Sequence, residues 1–250
     1  MRRNWRCLVV LVVAVFPLFS AGASFRREQG RYPRVRAARI QAQPRLEADF
    51  KGAGLSYPAE EILLRVFKLE NELELWARND RGGPFVLVKA YPVCASSGTI
   101  GPKRREGDLQ VPEGFYHISG FNPWSRFHLS LRVDYPNAAD RIQGAGGRLG
   151  GDIFIHGSCV TIGCVPIRDG PIAEVYLAAV DARAAGQERI PVHIFPCRLD
   201  GDWLRLERQA WRRPGLMAFW LNLKEGFDLF QRTRRLPRVA VDRSGRYLFR

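Results

Sequence analysis

Apolar and polar positions alternate along much of this chain, and shifts in that pattern predict its elements. From Ile62 onward, the runs ILLRVFKLE, ELELWAR and FVLVKAYPV are rich in leucine, β-branched and aromatic residues; the turn cluster Asn79-Asp80-Arg81-Gly82-Gly83 separates the second from the third. Such runs, punctuated by Gly, Asn and Asp, read as an antiparallel meander. Shorter strand-like runs follow at Phe115–Ser119, Phe127–Val133, Asp152–His156 and Ile190–Phe195. Ile172, Val175, Tyr176, Ala179 and Val180 recur at helical spacing, after a candidate N-cap at Asp169 and before a stop at Gly186. Leu216, Phe219, Trp220 and Leu223 predict a second helix that continues through Phe227 and Phe230. Strand-like pieces at Arg238–Val241 and Arg246–Phe249 close the chain. The fold class is mainly β with α (α+β), without an internal repeat.

The stretches between these elements are polar. Residues 24–58 carry many arginines, scattered prolines and little apolar periodicity, which predicts a basic linker. Residues 94–114 form a Gly/Pro-rich loop long enough to suggest function. Residues 135–151 read as another irregular excursion.

The start of the chain differs from the rest. Arg2, Arg3 and Arg6 precede the apolar run Cys7–Phe19, and Ser20-Ala21-Gly22-Ala23 offers an A-x-A cleavage site. That is the pattern of a secretory signal peptide over residues 1–23, placing the protein in the periplasm. The run is short for a span, and Pro17 interrupts it. The formal charge of +14 falls to +11 once the three arginines of that segment are set aside. Charge of this sign favours anionic partners, including a membrane surface touched peripherally. Nucleic acid is excluded by export and by the lack of aromatic platforms among the basic stretches.

Four cysteines follow the leader: Cys94, Cys159, Cys164 and Cys197. An oxidising compartment permits one disulfide if Cys164 stays a thiol, and the pairs 94–159, 94–197 and 159–197 are all open.

Cys164 is singled out by its surroundings, DIFIHGSCVTIGCVPIR. A strand delivers His156, Gly157 follows, and Cys164 comes eight positions after the histidine behind Gly163. An imidazole can take a thiol proton and leave a nucleophile, and the amides of Gly163 and Cys164 can stabilise an oxyanion. Two other readings compete. His156, Cys159 and Cys164 could form a soft metal site, although no paired C-x2-C knuckle is present; His117, His128 and His193 stand singly. A buried, inert cysteine beside a satisfied histidine is the other.

The stretch resembles the active-site signature of the L,D-transpeptidases (YkuD-type catalytic domain), in which an HG histidine precedes S-x-G-C; the short spacing is that of the YafK-like branch. Here the signature stands as His156-Gly157 and Thr161-Ile162-Gly163-Cys164. The similarity continues at Val93-Cys94, Gly101-Pro102-Lys103, Gly107-Asp108, Pro112–Tyr116, Tyr135-Pro136-Asn137, FPCR and FWLNLKEGFDLF, covering about residues 60–240. It implies a β-sandwich catalytic domain over 59–198, with a helix after the nucleophile and a helical C-terminal extension over 199–250. It also implies Cys164 as nucleophile and His156 as proton donor and acceptor, with Gly163, Gly157 and Thr161 in support. No cofactor and no metal is expected. Thr161 replaces the usual serine, and the arginine that commonly follows the nucleophile is absent from Val165-Pro166-Ile167. Lys103 is a candidate for the carboxylate-binding work that arginine would do, beside its reading as a solvated loop lysine.

The implied activity is acyl transfer on peptidoglycan stem peptides through a thioester, in cell-wall biogenesis and cell shape. Hydrolysis of the link between a diamino acid and an outer-membrane lipoprotein lysine is an alternative, and a non-catalytic wall-binding module a further one.

Overall fold

The computed structural model describes residues 21–250 apart from 145, 202–205, 207–209, 212 and 214. The expected signal peptide therefore lies outside the described residues, except for Ala21–Ala23. No described helix is long and apolar enough to cross a membrane.

The predicted meander is present as β1 (Glu61–Phe67), β2 (Glu72–Arg78) and β3 (Val86–Pro92), paired antiparallel in that order. It joins β4 (Gly114–Asn122), β5 (Ser130–Val133), β6 (Phe154–His156), β7 (Val165–Pro166) and β8 (Pro191–Phe195) in one sheet ordered β3-β2-β1-β8-β4-β5-β6-β7. The sheet is a half-barrel, and the α+β, L,D-transpeptidase-like fold class holds. A register shift between Ile118 and Gly120 lets β4 carry the chain from one half of the sheet to the other.

Both faces of the central strands are covered, and β1 shows why its sequence is almost wholly apolar. Ile62, Leu64 and Val66 enter one core, while Leu63 and Phe67 enter two clusters on the opposite face. The first face carries α5 (Asp169–Ala184), buried continuously from Ile172 to Ala182. The second carries α6 (Leu216–Thr233), whose Phe219, Trp220, Leu223 and Phe227 fill the second core. The hairpin of β9 (Val239–Val241) and β10 (Tyr247–Phe249) packs beside it. On this face Arg65 is fully buried among aromatic rings, its guanidinium 4.6 Å from the centroid of Phe230 and 4.9 Å from that of Phe227. Burial pulls its pKa down to about 10, while Glu74 at 3.7 Å opposes that shift.

Three expectations fail. Residues 24–58 are not a linker but three helices, α1 (Ala21–Gln29), α2 (Pro33–Gln41) and α3 (Gln43–Gly52). Val35, Ala38, Ala42, Leu46 and Phe50 form a buried stripe at spacings of three and four, hidden among arginines, and Pro33 and Pro44 sit in first turns where a missing N–H costs little. The arginines brace α5: Arg39 forks onto Asp181 with bonds of 2.6 and 2.7 Å, and Arg26 joins it at 2.9 Å. Second, the segment read as irregular contains α4 (Ala138–Gln143), closed by a capping box between Asn137 and Asp140. Third, Asp169 is not the N-cap of α5. Arg168 holds that position, and Asp169 is used elsewhere.

Candidate active site

Cys164 and His156 come together because β6 and β7 run side by side. Ile155 pairs with Val165 and His156 with Pro166 in parallel register. Ile155 and Val165 enter the first core, so His156, Pro166 and Cys164 share the opposite face. That face is open beyond the reach of α6. There Cys164 and His156 line one cleft of about 190 Å3 with Asn122, Arg126, Phe127 and Ser130.

The imidazole is held from two sides. Its Nδ1 lies 2.6 Å from the carbonyl oxygen of Gly157, which fixes the proton on Nδ1 and leaves the Nε2 lone pair. The Phe127 ring stacks on it, with centroids 4.6 Å apart. Gly157 has no room for a side chain, since a Cβ there would meet Asp169 Oδ1 at 2.5 Å and Phe127 O at 2.7 Å. Asp169 accepts from the amide of Ser158 at 2.7 Å, which ties the loop after the histidine to the start of α5.

The cysteine sits at the end of a tight turn. Thr161 Oγ1 accepts from the Gly163 amide at 3.1 Å and donates to the Cys164 carbonyl at 2.8 Å, so the hydroxyl kept in place of serine closes the turn. Gly163 has φ +134°, which favours glycine, and a Cβ would approach Gln110 O to 3.1 Å. Its amide, expected to face an oxyanion, is engaged by Thr161.

Cys94 and Cys159 form a disulfide, which settles the pairing left open and removes Cys159 from any metal set or bridge to Cys164. Among the described residues no group of histidine, cysteine and acidic side chains is placed to hold a metal. The bridge ties the 94–114 loop to the loop carrying the signature, and the Cys94 amide also donates to Pro166 O at 3.0 Å. Cys197 is buried in the second core.

Electrostatics favour a neutral pair at rest. Burial pushes the Cys164 thiol above its ordinary value, against the Phe154 amide and the charge of Lys103, which favour the thiolate. Burial also pulls His156 down, with the Gly157 carbonyl opposing. The thiol donates to Asp152 O at 3.6 Å. Both shifts favour the uncharged forms, so the transfer of the thiol proton to the imidazole read from the sequence belongs to the reaction and not to the resting site.

Lys103 is buried and engaged within its loop, 2.6 Å from Asp108 and 2.8 Å from Arg105 O. Arg168 is exposed at the head of α5. Neither lines the cleft; the cation that does is Arg126.

The L,D-transpeptidase catalytic domain, YkuD, matches residues 66–194. The L,D-transpeptidase homologue YafK of Escherichia coli (strain K12) is 34% identical over 189 residues, which is 75% of this chain and 73% of YafK. The chain belongs to the L,D-transpeptidase family. Among solved structures it is similar to the helical cell shape determining protein Pgp2 of Campylobacter jejuni (TM-score 0.44, 18% identity, 73% of each chain). It is also similar to L,D-transpeptidase 1 of Mycobacterium tuberculosis (TM-score 0.30, 12% identity, 54% of this chain and 61% of that one). As a member of this family the protein is an enzyme of the L,D-transpeptidase type, with a role tied to peptidoglycan. Within the matched span, Arg126 and Phe127 were missed because FNPWSRF offers no motif, only an aromatic, proline-interrupted stretch between two strands.

Proposed function

We propose that this L,D-transpeptidase is exported to the periplasm and acts through Cys164 on peptidoglycan stem peptides. The observation that carries this reading is the shared cleft, where the unbridged Cys164 and the lone pair of His156 Nε2 lie on one face of neighbouring strands.

Substrate docking brings an amide carbonyl, on the L-centre of the diamino acid, against the sulfur. The S–C bond forms as Nε2 takes the thiol proton, which gives an oxyanion and an imidazolium. The imidazolium proton then passes to the amine as the C–N bond breaks, leaving a thioester on Cys164. An incoming amine attacks the thioester, its proton returns through His156, and the sulfur leaves with the new amide formed. Because the pair is neutral at rest, the proton moves only as the carbonyl arrives, and the thiol stays protonated among oxidants. Water in place of the amine turns the same acyl-enzyme into a peptidase, including one that frees a lipoprotein lysine.

Intact-mass measurement of the protein after incubation with muropeptide or a carbapenem tests the assignment. A thioester adduct is expected on the parent chain and none on Cys164→Ala. An adduct that persists in the variant overturns it. Mass spectrometry of sacculi after incubation separates new cross-links from freed peptides.

A further inference from the structure

A second cavity lies outside the catalytic cleft. It holds about 740 Å3 where β4, β5 and β8 meet the turn before α4 and the C-terminal hairpin. Three exposed guanidinium groups line it, those of Arg132, Arg141 and Arg189. Among the described residues, neither Arg141 nor Arg189 pairs with a carboxylate: Arg141 donates to Pro136 O, and Arg189 Nη2 lies 3.3 Å from His117 Nδ1. Arg132 pairs with the exposed Asp152, at 3.4 Å. One acid lines the cavity, Asp134, and it is occupied by the His117 amide at 2.7 Å. Leu236, Pro237, Val239 and Val241 supply an apolar wall. A concave surface with three guanidinium groups against one lining carboxylate on one side, and apolar groups on the other, suits an organic anion, whose charge it attracts and whose carbon it covers.

The cavity adjoins the cleft. Along β5, Leu131 enters the core, while Ser130 and Arg132 face the other way. Ser130 pairs with His156 and Arg132 with Phe154; Ser130, His156 and Phe154 line the cleft, and Arg132 lines the cavity. Two residues of strand, about 7 Å, separate the two hollows on one sheet face. A peptide that places a carbonyl at Cys164 and continues along β5 meets Arg132 next.

We infer that this cavity is a subsite for the carboxylate-bearing part of the peptide substrate, held by Arg132, Arg141 and Arg189. The inference rests on the stem-peptide reading above and deepens it: specificity for an acidic peptide comes from across β5, not from the position after Cys164 where family members commonly carry an arginine.

Binding measured without chemistry separates the two claims. On Cys164→Ala protein, calorimetry compares a stem tetrapeptide bearing free carboxylates with the same peptide amidated at each. The acidic peptide should bind about ten-fold tighter, the sum expected of two or three exposed ion pairs, and the gap should narrow with salt. Arg141→Glu/Arg189→Glu in that background should abolish the preference; Arg141→Gln/Arg189→Gln, which keeps size and polarity, should do so if the charge-reversed protein does not fold. Equal affinity for the two peptides, or a preference that survives loss of both guanidinium groups, overturns the inference. Failure of the cysteine assignment would appear only in the adduct experiment, because this binding needs no thiol.

Discussion

Phe127 lies flat on His156, the two rings 30° from parallel with centroids 4.6 Å apart. The loop that carries Phe127 is pinned from a distance: Arg34 of α2 donates to the carbonyls of Ser125 at 2.5 Å and His128 at 2.6 Å. The N-terminal segment thus reaches the cleft loop through Arg34, and also through Tyr32, whose ring packs edge-on against Trp124 at 5.7 Å.

Because burial is what lowers the His156 pKa, uncovering the ring should raise it. Phe127→Ala is expected to move the imidazole midpoint toward the ordinary value of about 6.5, as followed by NMR of the ring protons. Adduct formation with a carbapenem should slow as well. An unmoved midpoint would show that Phe127 does not keep water from the ring.

Arg34→Ala should act on the loop. Two hydrogen bonds to a charged group vanish, which predicts a loss of about 2 kcal/mol in urea denaturation. Adduct formation should fall several-fold, and Arg34→Lys should restore part of it. A variant with the stability loss but the parental adduct rate would refute the positioning role.

The Cys94–Cys159 bridge closes a segment with a sequence separation of 65. Replacing both with serine should cost about 4 kcal/mol, through greater freedom of the unfolded chain. A thermal melt of the variant beside the oxidised parent measures it, and a melt unchanged by the substitution would count against the bridge.

Gly163→Ala imposes a side chain at φ +134°, with Gln110 O in the way. The strain is about 1–3 kcal/mol, and it falls on the residue before Cys164. Calorimetric stability should drop by that amount, and adduct formation should drop further than stability alone explains.

His193 sets an acid limit. It is buried between Phe115 and Phe195, and burial holds its pKa well below the ordinary value, with the charge of Arg65 and His117 acting in the same direction. The unfolded chain takes up this proton near pH 6.5, whereas the folded chain resists it until far more acid conditions. Below about pH 6.5 the unfolded state binds more protons, so the contribution is complete above that pH and is lost as the pH falls. Urea denaturation from pH 7 to 5 should show this decline, and His193→Gln should flatten it.

The strands were legible because residues buried on both faces leave continuous apolar runs, as in β1, and α5 because Ile172 to Val180 repeat at its period. The Cys164–His156 pairing was legible because a strand and a short loop bring the two together locally. What escaped depends on distance or on mixed signals. Arg34 reaches the carbonyls of Ser125 and His128 across more than ninety residues, which no local pattern encodes. The stripe from Val35 to Phe50 was masked by basic residues that turned out to serve Asp181 and the cleft loop. The disulfide pairing required knowing that residue 94 leaves β3 beside the signature loop.

The three N-terminal helices lie entirely before the span that matches the family, residues 66–194, and that span also cuts β1 near its end. A recombinant fragment trimmed to those limits would strip Val35, Leu46 and Phe50 from the first core and sever β1, an inner strand of the sheet. It should precipitate on expression, and its inactivity would say nothing about the catalytic residues. Boundaries for crystallisation or assay therefore belong ahead of α2, directly after the expected leader.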